Sequence, residues 1–240
     1  MNRKKWDNLL RLLFPMRCPV CDRVLPYGEK ICADCHREIR YEAEPRCLKC
    51  GRSMSREKDP DAAFCADCAA HPHEYDHGYC LAEYHSIARP IYRIKYAGRR
   101  ESAAWFGEEI VRCLGEELYR MAPQVIVPVP LHKKRYLTRG YNQAEDIARS
   151  IARRTGIPVR TDLVERRVNT PPMKRTDRQE NRRKNMKNAF QLRSDDVKYE
   201  RILIVDDIYT SGSTIDAIAR EFRRAGVPGI FFVTVAAAHL

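Results

Sequence analysis

Four CxxC pairs fall within the first 70 residues: Cys18/Cys21, Cys32/Cys35, Cys47/Cys50 and Cys65/Cys68. A CxxC step sets two thiolates on one tight turn, at the bite that tetrahedral Zn²⁺ accepts, and two such turns close one site. Four pairs in series therefore read as two zinc sites of four cysteines each. Ten residues separate the first two pairs and fourteen the last two, which lets neighbours combine as 18/21/32/35 and 47/50/65/68. A crossed arrangement of 18/21 with 47/50 also fits the sequence. Four thiolates leave no coordination place open, so both ions are expected to be structural. Thioredoxin-type redox chemistry would need a βαβ setting that this region lacks. Metal binding would supply the folding energy of residues 1–78, a segment rich in Cys, Pro and charge with little apolar periodicity. His71, His73 and His77 follow the last pair, but eight cysteines already complete two sites.

Residues 79–240 have a different texture. "GYCLAEY" (78–84) and "QVIVPVP" (124–130) are strand-like, and "RILIVDD" (201–207) and "GIFFVTVAAA" (229–238) read as buried strands. Between them lie helical patterns. Residues 101–122 put Phe106, Ile110, Leu114, Leu118 and Met121 on one face; residues 140–156 are amphipathic and stop at Gly156; residues 214–226 turn Ile215, Ile218, Ala219 and Phe222 inward. Alternation of this kind predicts an α/β domain with a mostly parallel sheet flanked by helices, behind a small N-terminal metal domain, with the boundary at 78/79. Cys80 and Cys113 lie on apolar patterns and read as core thiols. No stretch approaches 18 apolar residues, so no membrane span is expected. The basic, leucine-containing start has a short apolar run interrupted by Arg11 and no small-residue cleavage site. With reduced thiols, this places the chain in the cytoplasm.

The thirteen residues "ILIVDDIYTSGST" (202–214) carry the chemistry. Ligands of open α/β sheets sit beyond the carboxyl ends of the strands, where Asp206 and Asp207 are expected. The next helix begins near Thr214, and its unpaired first amides suit a phosphate. Thr210, Ser211, Ser213 and Thr214 add hydroxyl donors, and Gly212 allows close approach of the backbone. Two acids beside a phosphate cradle would repel the phosphate itself. They fit sugar hydroxyls, or a Mg²⁺ shared with those hydroxyls, so the pattern suggests a sugar phosphate. A P-loop NTPase lacks support, since no G-x-x-x-x-G-K-[ST] occurs, and 33 residues after Asp207 are too few for a receiver domain.

The net charge of +12 favours anionic partners. Two basic stretches concentrate it. "VPVPLHKKRYLTRGYNQA" (127–144) carries Lys133, Lys134, Arg135 and Arg139; residues 166–187 hold nine Lys/Arg against two acids. The second stretch also reads as a nucleic-acid surface.

Residues 202–214 resemble the PRPP (5-phosphoribosyl-1-pyrophosphate) signature of type I phosphoribosyltransferases. The resemblance implies that Asp206 and Asp207 hold the ribose hydroxyls and that Thr210, Ser211, Gly212, Ser213 and Thr214 hold the 5′-phosphate. By position, 127–144 looks like that family's pyrophosphate loop, with Leu131, His132 and Lys133 near its turn and Arg135 beyond it. Residues 166–190 resemble the loop that closes over the site, with Lys174, Arg175 and Arg178 as pyrophosphate contacts. Mg²⁺ with PRPP is implied as well. The series "VPVPLHKKR…RGYNQA", "NTPPM…R…ENRRKNMKNAF" and "ILIVDDIYTSGST", behind a Cys-rich N-terminus, resembles the ComF family over nearly the whole chain. Met173 departs from it, standing where many members have Gln. The resemblance implies a role in natural competence, in the uptake of single-stranded DNA, and a helicase-like ATPase partner. Two other functions remain open at this point: an active metabolic phosphoribosyltransferase with an unknown acceptor, and a non-catalytic nucleic-acid adaptor. Thr210 stands where 6-oxopurine enzymes of this fold carry an Asp, and a hydroxyl is a poor general base at neutral pH. Purine salvage of the usual kind is therefore disfavoured.

Overall fold

A computed structural model gives the placement of residues 15–55, 61–169, 186, 188–194 and 197–238. The apolar runs pair as a four-stranded sheet in the order β1 (His77–Glu83), β6 (Gly229–Ala237), β5 (Arg201–Tyr209), β2 (Val125–Pro128), and every pairing is parallel. Parallel strands covered on both faces need side chains that are apolar on both. β5 meets that requirement: Leu203 and Val205 enter one core, Ile202 and Ile204 the other. A two-stranded antiparallel hairpin, β3 (Val164–Arg166) with β4 (Phe190–Leu192), stands beside this sheet.

Seven helices are described. α1 (Ala33–Glu38) and α2 (Ala66–Ala70) each follow a cysteine of the metal-binding region, and α3 (Tyr84–Tyr96) leaves β1 directly. α4 (Arg100–Met121) and α6 (Gln143–Thr155) pack in the core on one face of the sheet. α5 (Lys133–Arg139) lies between β2 and α6, and α7 (Ser213–Arg224) covers the other face. The five inward positions expected on α4 are all buried, as are the four on α7.

Two elements differ from the expectation. The helix expected over 140–156 starts later, at Gln143. Gly140 takes a left-handed conformation (φ +79°) that ends α5, and the Asn142 side chain accepts from the Ala144 N–H to start α6. α3 has no counterpart in the sequence pattern: Ile87 is non-helical (φ −127°) and Pro90 lies inside the helix, so its apolar period is broken.

The cysteine-rich region leans on the β1 edge of the sheet. The Glu42 N–H donates to the Leu81 carbonyl at 3.0 Å, and the Glu83 N–H donates to the Arg40 carbonyl at 2.8 Å. The two cores draw on both regions: Cys18, Val20 and Ile39 join the α4/α6 core, while Cys47, Cys50 and Tyr75 join the α7 core.

Candidate functional site

β5 continues two residues beyond the expected strand end, so Asp206 and Asp207 lie within it, near the carboxyl end of the sheet, and Ile208 and Tyr209 follow them in the ladder with β6. Asp207 is 7 % exposed, and its backbone N–H donates to Asp206 Oδ1 at 2.8 Å. Lys95, in the last turn of α3, brings Nζ to 2.7 Å from Asp207 Oδ2. That approach lies off the hydrogen-bonding axis, so buried Oδ2 has a counter-charge but no well-directed donor. Burial, followed by the charge of Asp207, pushes the Asp206 carboxyl up to about 8, with Lys95 acting in the opposite direction. Arg166, at the end of β3, is near enough to feel both Asp206 and Arg135; burial first, and then Arg135, lower its pKa.

The hydroxyl-rich turn follows at once. Ser211 and Ser213 are buried, with the Ser211 hydroxyl donating to the Ser213 hydroxyl oxygen at 3.3 Å. Gly212 caps α7 at φ +72° and, having no side chain, makes no cap hydrogen bond to the helix's first amides. A Cβ on Gly212 would lie 2.9 Å from the Tyr209 hydroxyl and 3.0 Å from His73 Cε1, so this close-packed corner admits no side chain. The acids and the amide-lined turn thus meet at one end of β5, as a sugar phosphate would require.

The basic loop contributes unevenly. His132 caps α5, its Nδ1 accepting from the Lys134 N–H at 3.2 Å. Lys133 is exposed, while Arg135, Lys134 and Arg139 line a cavity of about 440 Å³ together with Lys95, Tyr96 and Tyr141. Lys133 is not among the lining residues. Lys174, Arg175 and Arg178 lie outside the described residues. Lys95 carries no signal in the sequence, since a lysine on an interrupted amphipathic helix looks like a solvated cation. Arg166 stands out there only as the first cation of the basic stretch 166–187, with nothing to link it to Asp206.

The cysteines gather as two groups of four, 18/21/32/35 and 47/50/65/68, the sulfurs within each lying within 4.8 Å of one another. The crossed arrangement is thereby excluded. A tetrahedron with Zn–S bonds of about 2.3 Å has edges of about 3.8 Å. The Cys21–Cys32 and Cys50–Cys65 sulfur separations are 3.7 and 3.8 Å. Both groups therefore fit zinc.

Two family models match this chain. The double zinc ribbon domain model matches residues 9–69, and the phosphoribosyl transferase domain model matches 136–239. Competence protein F of Haemophilus influenzae is 37 % identical over 110 residues, covering 45 % of this chain and 48 % of that protein. Competence protein ComFC of Streptococcus pneumoniae is 30 % identical over 49 % of this chain and 50 % of its own. The DNA utilization protein YhgH of Escherichia coli is 28 % identical over 91 % of this chain and 96 % of its own. Together these findings support a protein of the ComF family. Its matches to the two competence proteins span about half of their length.

In this chain the second cysteine group and the 210–214 turn are packed together. Arg52, 5 % exposed, donates from Nε to Cys50 Sγ at 3.4 Å and from Nη2 to Cys65 Sγ at 3.5 Å. Its Nη1 donates to the Ala238 carbonyl at 3.1 Å, and its guanidinium lies 5.3 Å from the Tyr209 ring centroid. Tyr209 stacks on Phe232 and shares a 2.7 Å hydroxyl contact with Tyr75, so it is a core ring and not a stacking platform for a base. His73 is no metal ligand: its fully buried ring places Nδ1 2.8 Å from Asp216 Oδ2. Cys80 is buried, its thiol pushed up to about 12 chiefly by burial, as suits a core position. Among the described residues no helix is long and apolar enough to cross a membrane.

Proposed function

We propose that this ComF-family protein binds PRPP, or a closely related sugar phosphate, in the cytoplasm and serves the uptake of single-stranded DNA in natural competence. The observation that supports this most is the meeting of two acids with an amide-lined turn at the carboxyl end of β5. Asp206 and Asp207 take the ribose hydroxyls, the 210–214 turn takes the 5′-phosphate, and Arg135, with Lys133 and Lys134 from the same loop, faces the diphosphate. Lys174, Arg175 and Arg178 complete that contact. Mg²⁺ would neutralise charge on the diphosphate. If turnover occurs, it is displacement at the anomeric carbon with loss of pyrophosphate to an acceptor. The names of the relatives, competence protein and DNA utilization protein, support the cellular role; a helicase-like ATPase as partner is part of the proposal and rests on the family resemblance alone.

A second reading, a nucleic-acid adaptor, draws support from the cavity that combines Lys134, Arg135 and Arg139 with the exposed ring of Tyr96, since cations and an exposed ring together suit single strands. Titration calorimetry with PRPP and Mg²⁺, wild type against Asp206→Ala plus Asp207→Ala, separates the two readings. The first expects binding that the double variant abolishes. Salt-dependent binding of single-stranded DNA that survives the double variant, with no heat from PRPP, would favour the second.

A further inference from the structure

Two sets of contacts join the second cysteine group to the turn that begins α7. The first runs through Arg52, which donates to two of the four thiolates and rests on Tyr209, the last residue of β5 before the turn. The second runs through the segment after Cys68. His73 holds Asp216 in the first turn of α7, and the Glu74 N–H donates to the other carboxylate oxygen of Asp216 at 3.0 Å. Gly212 is wedged between Tyr209 and His73, so the turn is in contact with both. Groups that donate to ligating sulfurs, or that brace the segment carrying them, orient and tune a metal site. Here the same groups brace the turn. The first cysteine group is arranged differently: it packs into the α4/α6 core on the opposite face of the sheet.

We infer that the zinc site at Cys47, Cys50, Cys65 and Cys68 is a structural part of the sugar-phosphate site, with Arg52 and His73 as positioning residues, so that zinc and phosphorylated ligand each tighten the hold on the other. This rests on the reading that the 210–214 turn binds phosphate. Linkage makes the effect reciprocal: whatever factor zinc contributes to ligand affinity, ligand contributes to zinc affinity. The second zinc then acts at a distance from the ligand, by fixing Tyr209 and Asp216 on either side of Gly212. Loss of that zinc, by chelation or thiol oxidation, would release the turn while leaving the acids of β5 in place.

The test uses the zinc-loaded full chain and reads each thiol separately. Zinc is drawn off by a chelator selective over Mg²⁺ while alkylation of the eight cysteines is followed by mass spectrometry, with and without PRPP and Mg²⁺. The expected result is that PRPP slows alkylation of Cys47, Cys50, Cys65 and Cys68 by roughly tenfold, the middle of the range for such couplings, and leaves Cys18, Cys21, Cys32 and Cys35 unchanged. In the opposite direction, His73→Ala weakens PRPP binding by a similar factor in calorimetry. His73→Gln, whose amide can still donate to Asp216, recovers most of it. PRPP binding that protects neither group, or both equally, overturns the inference and leaves the site reading standing. Calorimetry showing no PRPP binding to the wild type removes the site reading itself, and the inference with it.

Discussion

Gly212, in the 210–214 turn, has no room for a side chain. Its φ of +72° is costly for a residue with a side chain, by roughly 1–3 kcal/mol. A methyl group there would also press on Tyr209 and His73. Gly212→Ala is therefore expected to lower stability by about that amount, read as a shift in the urea midpoint, and to weaken PRPP binding further than the stability change alone implies. Asp206 gives a pH signature. Its carboxyl titrates near 8 in the fold against an ordinary value near 4, so between those limits the folded chain holds a proton that the unfolded chain has lost. Its contribution to stability is present at low pH and declines as pH rises through about 8. Asp206→Asn should flatten that decline in the ligand-free protein; an unchanged stability profile would contradict the burial and the Asp207 repulsion described. The groups facing Asp206 include Lys95 and Arg166, and both oppose the rise. Asp206 and Asp207 stood out in the sequence because two adjacent acids directly follow an apolar run. Lys95 did not, because the pairing that gives it meaning joins residues on different elements, distant along the chain.

At the scale of elements, the basic loop is held by what precedes α6. Asn142 is 7 % exposed and does two tasks: its carbonyl accepts the Ala144 N–H at 3.1 Å, and its amide donates to the Val129 carbonyl at 3.0 Å, at the exit of β2. Asn142→Ala removes a helix cap and leaves that carbonyl without the Asn142 donor. The expected loss is about 2 kcal/mol. The lysine- and arginine-bearing segment between β2 and α6 should loosen with it, seen as faster amide exchange over 131–141. The helices at 100–121 and 213–224 were legible because a long, regular apolar stripe has one good solution. α3 was illegible because Pro90 and the break at Ile87 divide its stripe into pieces too short to carry a period. The helix expected over 140–156 is present with its stop at Gly156, and only its start differs, because Gly140 ends the preceding helix and Asn142 caps the new one.

At the scale of the molecule, the metal-binding region is part of the body of the protein. Its residues complete both cores, and its chain pairs along the sheet edge through Tyr41 and Ala82. Structural zinc in small peptides binds with an apparent 10–16 kcal/mol, at least as much as the whole stability of a typical domain. Stripping both ions should therefore abolish the single cooperative melt of the entire chain, followed by near-UV circular dichroism. A stripped sample that kept a sharp transition would show the sheet domain standing alone. Strand–helix alternation made the parallel sheet readable, and CxxC spacing made the metal groups readable. The strand order was not, because it is decided by crossovers and by packing between distant segments. The position of β6 between β1 and β5 has a consequence for biosynthesis. The strand that seals the middle of the sheet emerges after both of its neighbours, so a nascent polypeptide must carry β1 and β5 with facing edges open until residues 229–237 arrive. A chain halted just short of them would be missing its keystone and not its trim, which makes it a natural client for chaperones and proteases.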